Sequence, residues 1–352
     1  MKMIIRIGID LAKTVFQIHG VGADEQVVVA RQLRRGEMLA YFAKLSPCLI
    51  GMEACGSAHY WARELTKLGH TLKLMPPKYV KSYVKRGKTD AIDAAAICEA
   101  VSRPSMTFVP IKSVEQQGLA MLHSVRQTLI GSRTRAINAL RGHLSELGIV
   151  AERGVLGQVA LAEIVGHEND ARLPAMARVA LAALVREITH ADRDVAKLDA
   201  AIKLEQRHND VAIRLQTVPS IGPIIASAIR ARVGNAKEFE NGRHLAAWIG
   251  LVPENNSSGG KVSQSGISKK GDRYLRALLV NGAMAVIRQA QRRPDKWPWV
   301  AKLLGRMSAK AAAIAIANKT ARVAWAIMVQ GGVYQAGHRA IRYRTPEIVA
   351  AG

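Results

Sequence analysis

The hydrophobic pattern changes its period along the chain. Up to about Pro104 apolar residues come in short runs or alternate with polar ones, and from Gln116 onward they recur every three or four positions. Ile4 to Ile9 is an apolar-rich run closed by Asp10, Val15 to Val21 is a second predicted strand, and Gln26 to Leu33 is a third. Short turns containing Gly or Asp join them. A helix at about Gly36 to Leu45 leads into the strand CLIGMEA, the helix HYWARELTKLGH and the strand TLKLMPP. A basic loop then precedes an Ala-rich helix within KTDAIDAAAICEA, Lys88 to Ala100.

Three strands in meander followed by alternating strands and helices predict a mixed α/β sheet flanked by helices, the order of a ribonuclease H-like fold. Gln116 to about Leu147 reads as one long helix, with Leu122, Val125, Leu129, Ile137, Leu140 and Leu144 near three-four spacing. Arg126, Arg133, Arg135 and Arg141 decorate its other faces. After a less regular patch from Gly154 to Pro174, a second long helix carries Leu184, Ile188, Ala191, Val195, Leu198 and Ile202. The two are expected to form an antiparallel coiled-coil hairpin, or to pair with another subunit.

From Thr217 the pattern is mostly helical. PSIGPIIASAI, Pro219 to Ile229, reads either as a helix-hairpin-helix, whose exposed amides hold a phosphate, or as an ordinary turn between helices. ENNSSGGKVSQSGISKKGDRYLR, rich in Ser, Gly and Asn, is expected to be a loop. Ser308 to Gln330 is a further helix, followed by a loosely held tail. The resulting division is an α/β domain at 1–110, a helical linker at 111–215, a mainly α domain at 216–335 and a tail at 336–352.

Charge narrows the partners. The 352 residues carry 51 Lys and Arg against 27 Asp and Glu, a net charge of +24. Spread along the chain, that field attracts a polyanion, and nucleic acid is the expected one. Aromatic residues are only 5%, which favours backbone contact over base stacking. Cys48, Cys55 and Cys98 have no CxxC spacing and read as reduced, buried thiols of a cytoplasmic protein. Lys319 and Arg322 interrupt the longest apolar stretch, so no membrane span is expected.

Against this basic background the acids stand out. Asp10 closes the first strand and Glu53 the fourth, strands that are neighbours in such a sheet. Asp90 and Asp93 lie three apart at the head of a helix. Each has a plain alternative as a strand end, a solvated residue or a helix cap. Together they are a hard-oxygen set suited to Mg²⁺ or Mn²⁺, and two such ions activate phosphodiester cleavage. In the Ser-Gly loop, Ser257, Ser258, Ser263, Ser265 and Ser268 are candidate nucleophiles, with Lys261, Lys269, Lys270, Arg273 and Arg276 as adjacent cations. A surface linker is the competing reading of that loop.

GIDLAK around Asp10, GMEACGSAHYWARELTKLGH around Glu53 and KTDAIDAAAICEA around Asp90 and Asp93 occur in one order with VPSIGP, HLAAWIGLVP, SSGG and GISKKGDRYLR. From about Ile5 to Tyr334 the chain resembles the transposases of the insertion-sequence one-ten family, in its eleven-eleven branch. The resemblance implies a resolvase-like DEDD domain with Asp10, Glu53, Asp90 and Asp93 as metal ligands, a coiled-coil linker and a C-terminal transposase domain. Ser258, which precedes Gly259, matches the family nucleophile, with Ser257 one residue away. The resemblance also implies DNA as substrate, a structured guide RNA, homodimers or tetramers, and a prokaryotic, nucleoid-associated location. Lys261, Lys269, Lys270, Arg273, Arg276, Arg133 and Arg141 are the expected nucleic-acid contacts.

Three rivals differ in class. The first is a metal-dependent resolvase-like nuclease that uses water, and the second a non-catalytic nucleic-acid scaffold. The third is an actin-like kinase, since GIDLAKT resembles a phosphate loop, although the helical second half offers no second sheet.

Overall fold

The computed structural model describes residues 3–84, 89–255 and 264–336. The chain divides into two compact units, Met1–Gln117 and Gly118–Gly352.

The first unit is built on a five-stranded sheet of β1 (Ile4–Leu11), β2 (Val15–Gly22), β3 (Val27–Arg34), β4 (Leu49–Glu53) and β5 (Thr71–Met75), in the spatial order β3-β2-β1-β4-β5. The short turns after β1 and β2 make the first three strands antiparallel, and the longer helical connections bring β4 and β5 in parallel to β1. Among the described residues the unit also has the α-helices α1 (Met38–Phe42), α2 (Ala58–Lys67), α3 (Pro77–Val80) and α4 (Asp90–Ala100). Because strand side chains alternate, β1 sends Ile7 and Ile9 to the face shared with α1 and α2, where Phe16, Ile18, Ile50, Met52, Trp61 and Leu65 complete a core. Phe16 and Trp61 meet edge to face at 5.2 Å. The opposite parity, Gly8 and Asp10 on β1 and Gly51 and Glu53 on β4, faces α4.

The second unit is almost wholly helical. Within it α5 (Val114–Glu146), α6 (Val155–Gly166) and α7 (Ala175–Gln206) share a core of Ala136, Leu140, Leu144, Leu161, Val165, Leu181 and Ile188. Ion pairs of Arg126 with Asp199 and Arg133 with Asp192 run in antiparallel register, so α5 and α7 pair within one chain. The stretch from Gly154 to Pro174, expected to be irregular, holds the helix α6. Its sequence VLGQVALAEIVG is apolar nearly all round, so it carries no three-four alternation to read.

Beyond α7 come α8 (Asp210–Leu215), α9 (Pro223–Val233), α10 (Gly242–Ile249), the paired strands β6 (Pro253–Asn255) and β7 (Gln264–Ile267), α11 (Arg273–Arg292), α12 (Pro298–Leu304) and α13 (Ala309–Gln330). The Ser-Gly stretch expected to be all loop is therefore flanked by a short antiparallel ladder. The helix α13 is long and apolar enough to cross a bilayer by composition, and its buried face, including Ala313, Ile316, Ala317, Ala324 and Ile327, packs into this unit's core. His123 of α5 is fully buried and bridges Tyr274 Oη of α11 and Ser227 Oγ of α9, each at 2.9 Å. Burial, reinforced by Arg232 and Arg126, pushes its pKa down to about 4, so the neutral imidazole joins three helices. All three cysteines are free, and Cys55 is exposed in the turn after β4 instead of buried as expected.

Candidate catalytic site

The acids converge because of strand register. Ile9 of β1 is paired with Met52 of the parallel strand β4, so one residue further on Asp10 and Glu53 lie side by side at the same end of the sheet and on the same face. The helix α4 crosses that face and brings its first turn, with Asp90 and Asp93, to the two strand acids. Thr89, not Asp90, is the N-cap: its side chain accepts from the Ile92 N–H at 3.3 Å. Asp90 is thereby free of a capping duty.

The electrostatics record the proximity. Partial burial pushes the Asp10 carboxyl above its ordinary range, and the charges of Asp90 and Asp93 push it further. Glu53 is raised by burial and then by Asp10 and Asp93. Each of the four acids therefore belongs to one field of mutual repulsion. None of them forms a salt bridge with a described basic residue. Among the described residues no three metal-ligating side chains close on a common point. Hard carboxylate oxygens that repel one another, with no ion pair to a basic residue among the described residues, fit a divalent cation.

Two strand glycines set this geometry. A Cβ on Gly8 would lie 2.2 Å from the Ala94 carbonyl oxygen and 2.3 Å from the Cys98 nitrogen, and one on Gly51 would lie 2.7 Å from Val101 Cβ. Both contacts are with α4 or the residue that ends it, so only glycine lets this helix lie close against β1 and β4. Neither glycine was among the expected site residues. The signal was a Gly inside a strand pattern, which marks close approach without naming what approaches. Gly8→Ala should lift α4 and separate Asp90 and Asp93 from Asp10. The expected result is at least about a tenfold loss of activity with every carboxylate retained, together with a lowered Tm by thermal denaturation.

The expected nucleic-acid contacts divide. Lys269 and Arg273 are exposed. Lys270 pairs with Glu254 at 2.5 Å, and Arg276 donates to the Ile249 carbonyl at 2.7 Å. On the long helix, Arg133 pairs with Asp192, and Arg141 donates to the carbonyl oxygens of Ala151, at 2.9 Å, and Glu152. These four guanidinium and ammonium groups hold the protein's own chain. Ser257, Ser258, Lys261 and Ser263 lie outside the described residues, as does the side chain of Ser265. Ser268 is half-buried, and its N–H donates to the Val252 carbonyl at 2.8 Å.

Residues 212–297 match the family model described as "Transposase IS116/IS110/IS902 family", and residues 7–149 match a DEDD model described as "Transposase". A "Probable family 20 transposase" of Pseudomonas aeruginosa is 48% identical over 94% of this chain and 99% of its own length. The "Transposase for insertion sequence element IS1111A" of Coxiella burnetii is 38% identical over 96% of this chain and 93% of its own. A "Pilin gene-inverting protein" of Moraxella bovis is 25% identical over 92% and 95%. By these matches, which cover both units, the chain belongs to the IS110/IS116/IS902 family of transposases.

Proposed function

We propose that this chain is a divalent-metal-dependent DNA recombinase that excises and inserts a mobile element, with a ribonuclease H-like acidic domain and a serine nucleophile. The observation that carries the reading is the convergence of Asp10, Glu53, Asp90 and Asp93 from two strands and a helix at one end of the sheet. The strand order β3-β2-β1-β4-β5 supports the ribonuclease H-like reading.

Asp10, Glu53, Asp90 and Asp93 would hold Mg²⁺ or Mn²⁺, which when bound supplies Lewis acidity to the reacting phosphate. The partial burial of Asp10 and Glu53 keeps bulk water from screening that field. Ser258 is the proposed nucleophile: its Oγ–P bond forms as the P–O3′ bond of the DNA breaks, leaving a 5′-phosphoserine and a free 3′-hydroxyl. Attack by a 3′-hydroxyl of another strand reverses the step and rejoins DNA without external energy. Exposed Lys269 and Arg273, which follow the serine stretch in sequence, are the proposed phosphate contacts. The net charge of +24 supports a structured guide RNA as a second polyanion, and homo-oligomers would bring the serine of one subunit to the acids of another.

The test is denaturing gel analysis after incubation with element-junction DNA and Mg²⁺. A covalent protein-DNA adduct is expected, and cleaved DNA without any adduct would favour the water-using nuclease. RNA extracted from the purified protein should be one discrete, foldable species; its absence would remove the guide.

A further inference from the structure

We propose that Tyr274 is a positioning residue. Its hydroxyl, held by His123 and Arg126, fixes the corner between β7 and α11 to the linker helix α5, and so sets where Lys269 and Arg273 stand. The consequence for catalysis rests on the recombinase reading above, in which those two cations contact phosphate.

The corner is tightly built on one side. Ser268 N–H donates to the Val252 carbonyl at 2.8 Å, and Arg276 donates to the Ile249 carbonyl at 2.7 Å. Gly250 and Gly271, at φ +80° and +137°, let the chain cross the end of α10. A Cβ on Gly250 would lie 2.7 Å from the Lys270 carbonyl oxygen, and one on Gly271 would strike that of Trp248. Two residues before Gly271, Lys269 stands at φ +54°, a left-handed conformation that a lysine keeps only where its neighbours impose it. Asp272 caps α11 by accepting from the Leu275 N–H at 2.8 Å. A strained turn of this kind relaxes unless both of its flanks are fixed.

Tyr274 fixes the inner flank. Its Oη lies 2.9 Å from His123 Nδ1, and the other ring nitrogen, Nε2, lies 2.9 Å from Ser227 Oγ of α9. Arg126, paired with Asp199 of α7, also donates to Tyr274 Oη, and Arg232 of α9 stands over the ring at 5.4 Å. A guanidinium can only donate, so Tyr274 Oη accepts from Arg126 and donates to Nδ1, leaving Nε2–H for Ser227. An apolar contact would tolerate a small slide of α11. This chain does not, because His123 is fully buried and any slide or rotation leaves its Nδ1 unpaired away from water. Arg273, one residue before Tyr274, is exposed, so the turn that buries the hydroxyl also aims the cation.

Tyr274→Phe and Ser227→Ala each take one hydroxyl from the same imidazole, the first on the helix of the corner and the second on α9. A network that only stabilises the fold would lower Tm in both variants and do nothing else. The positioning role gives a split, read by hydrogen exchange and mass spectrometry on full-length protein well below either Tm. Peptides covering β7 to the first turn of α11, residues 264–276, should exchange about tenfold faster in Tyr274→Phe and at the native rate in Ser227→Ala. Single-turnover cleavage of element-junction DNA with Mg²⁺ should fall about tenfold in Tyr274→Phe alone. DNA affinity, spread over many cations, should stay within about twofold. His123→Asn, whose amide replaces Nδ1, should keep the native corner, and His123→Gln, whose amide replaces Nε2, should behave as Tyr274→Phe. This pair decides the matter if Tyr274→Phe does not fold. Native exchange over 264–276 in Tyr274→Phe and His123→Gln, or equal acceleration in Ser227→Ala, would overturn the role. If the unaltered protein neither cleaves DNA nor forms an adduct, the recombinase reading fails, and the exchange pattern still decides the anchor.

Discussion

Asp10→Asn should abolish DNA cleavage, with a rate loss of at least about a hundredfold, and yet make the metal-free protein more stable at neutral pH. The first effect follows from removing one of the four charges that would hold the divalent ion. The second follows from the direction of the carboxyl shifts. Asp10 and Glu53 are raised in the fold by burial and by the neighbouring acids, so the folded state binds their protons more tightly than the unfolded chain does. Their contribution to stability is fully present below the ordinary values of 3.8 and 4.5 and is lost as pH rises through the raised values. Asn carries no charge to repel Glu53, Asp90 or Asp93, so the variant keeps what the native protein loses. Thermal denaturation in chelator across this range should give a flatter Tm profile for Asp10→Asn and a higher Tm at neutral pH. Addition of Mg²⁺ should raise the Tm of the native protein more than that of the variant. Equal pH profiles would remove the idea of a repelling acidic cluster, whatever the activity.

Ser258→Ala should eliminate the covalent protein-DNA adduct and lower strand exchange by at least about a thousandfold, while binding to DNA and RNA stays within about twofold. The hydroxyl is the only group removed, and phosphate contacts from cations and amides carry the affinity. Ser257→Ala should keep the adduct. The reverse outcome would move the nucleophile by one residue, and a persistent adduct in both variants would exclude the pair. Cleavage that survives in Ser258→Ala without an adduct would mean that water attacks at the acidic site. Because the Asp10 and Ser258 variants fail in different ways, one by loss of the divalent site and the other by loss of the bond to DNA, the two experiments together separate a recombinase from a nuclease.

Much of the first unit was legible because its elements have simple periods. The runs at Ile4 to Ile9, Val15 to Val21 and CLIGMEA are short, β-rich and bounded by turn residues, and each is a strand in the structure. The long helices were equally clear, since their apolar stripes repeat through many turns. Where periodicity is missing, the reading stops. The all-apolar α6 has no stripe, and the hairpin of β6 and β7 is too short and polar to stand out from its Ser-Gly surroundings. The cap reading left open for Asp90 falls to Thr89 in the structure, and sequence could not separate them because Thr and Asp are both good caps and sit next to each other. The commitment of Arg133, Arg141, Lys270 and Arg276 to internal partners was also invisible, since those partners are 59, 10, 16 and 27 residues away in the chain.

By itself the sequence determined which residues are candidates for the chemistry: scarce acids at two strand ends and a helix head, a Gly-flanked serine loop and a strong positive charge. It also determined the family, through motifs that keep their order over both units. Only the tertiary structure decided that Asp10 and Glu53 share one face. That depends on the parallel register of β1 with β4, and a slip of one residue would turn Glu53 to the other side. Only the structure decided that Asp90 and Asp93 join them, because the approach of α4 depends on the absence of a side chain at Gly8 and Gly51. Charges can be counted in a sequence, but the repulsion that raises Asp10 and Glu53 depends on distance and burial, which exist only once the sheet and its helix have packed.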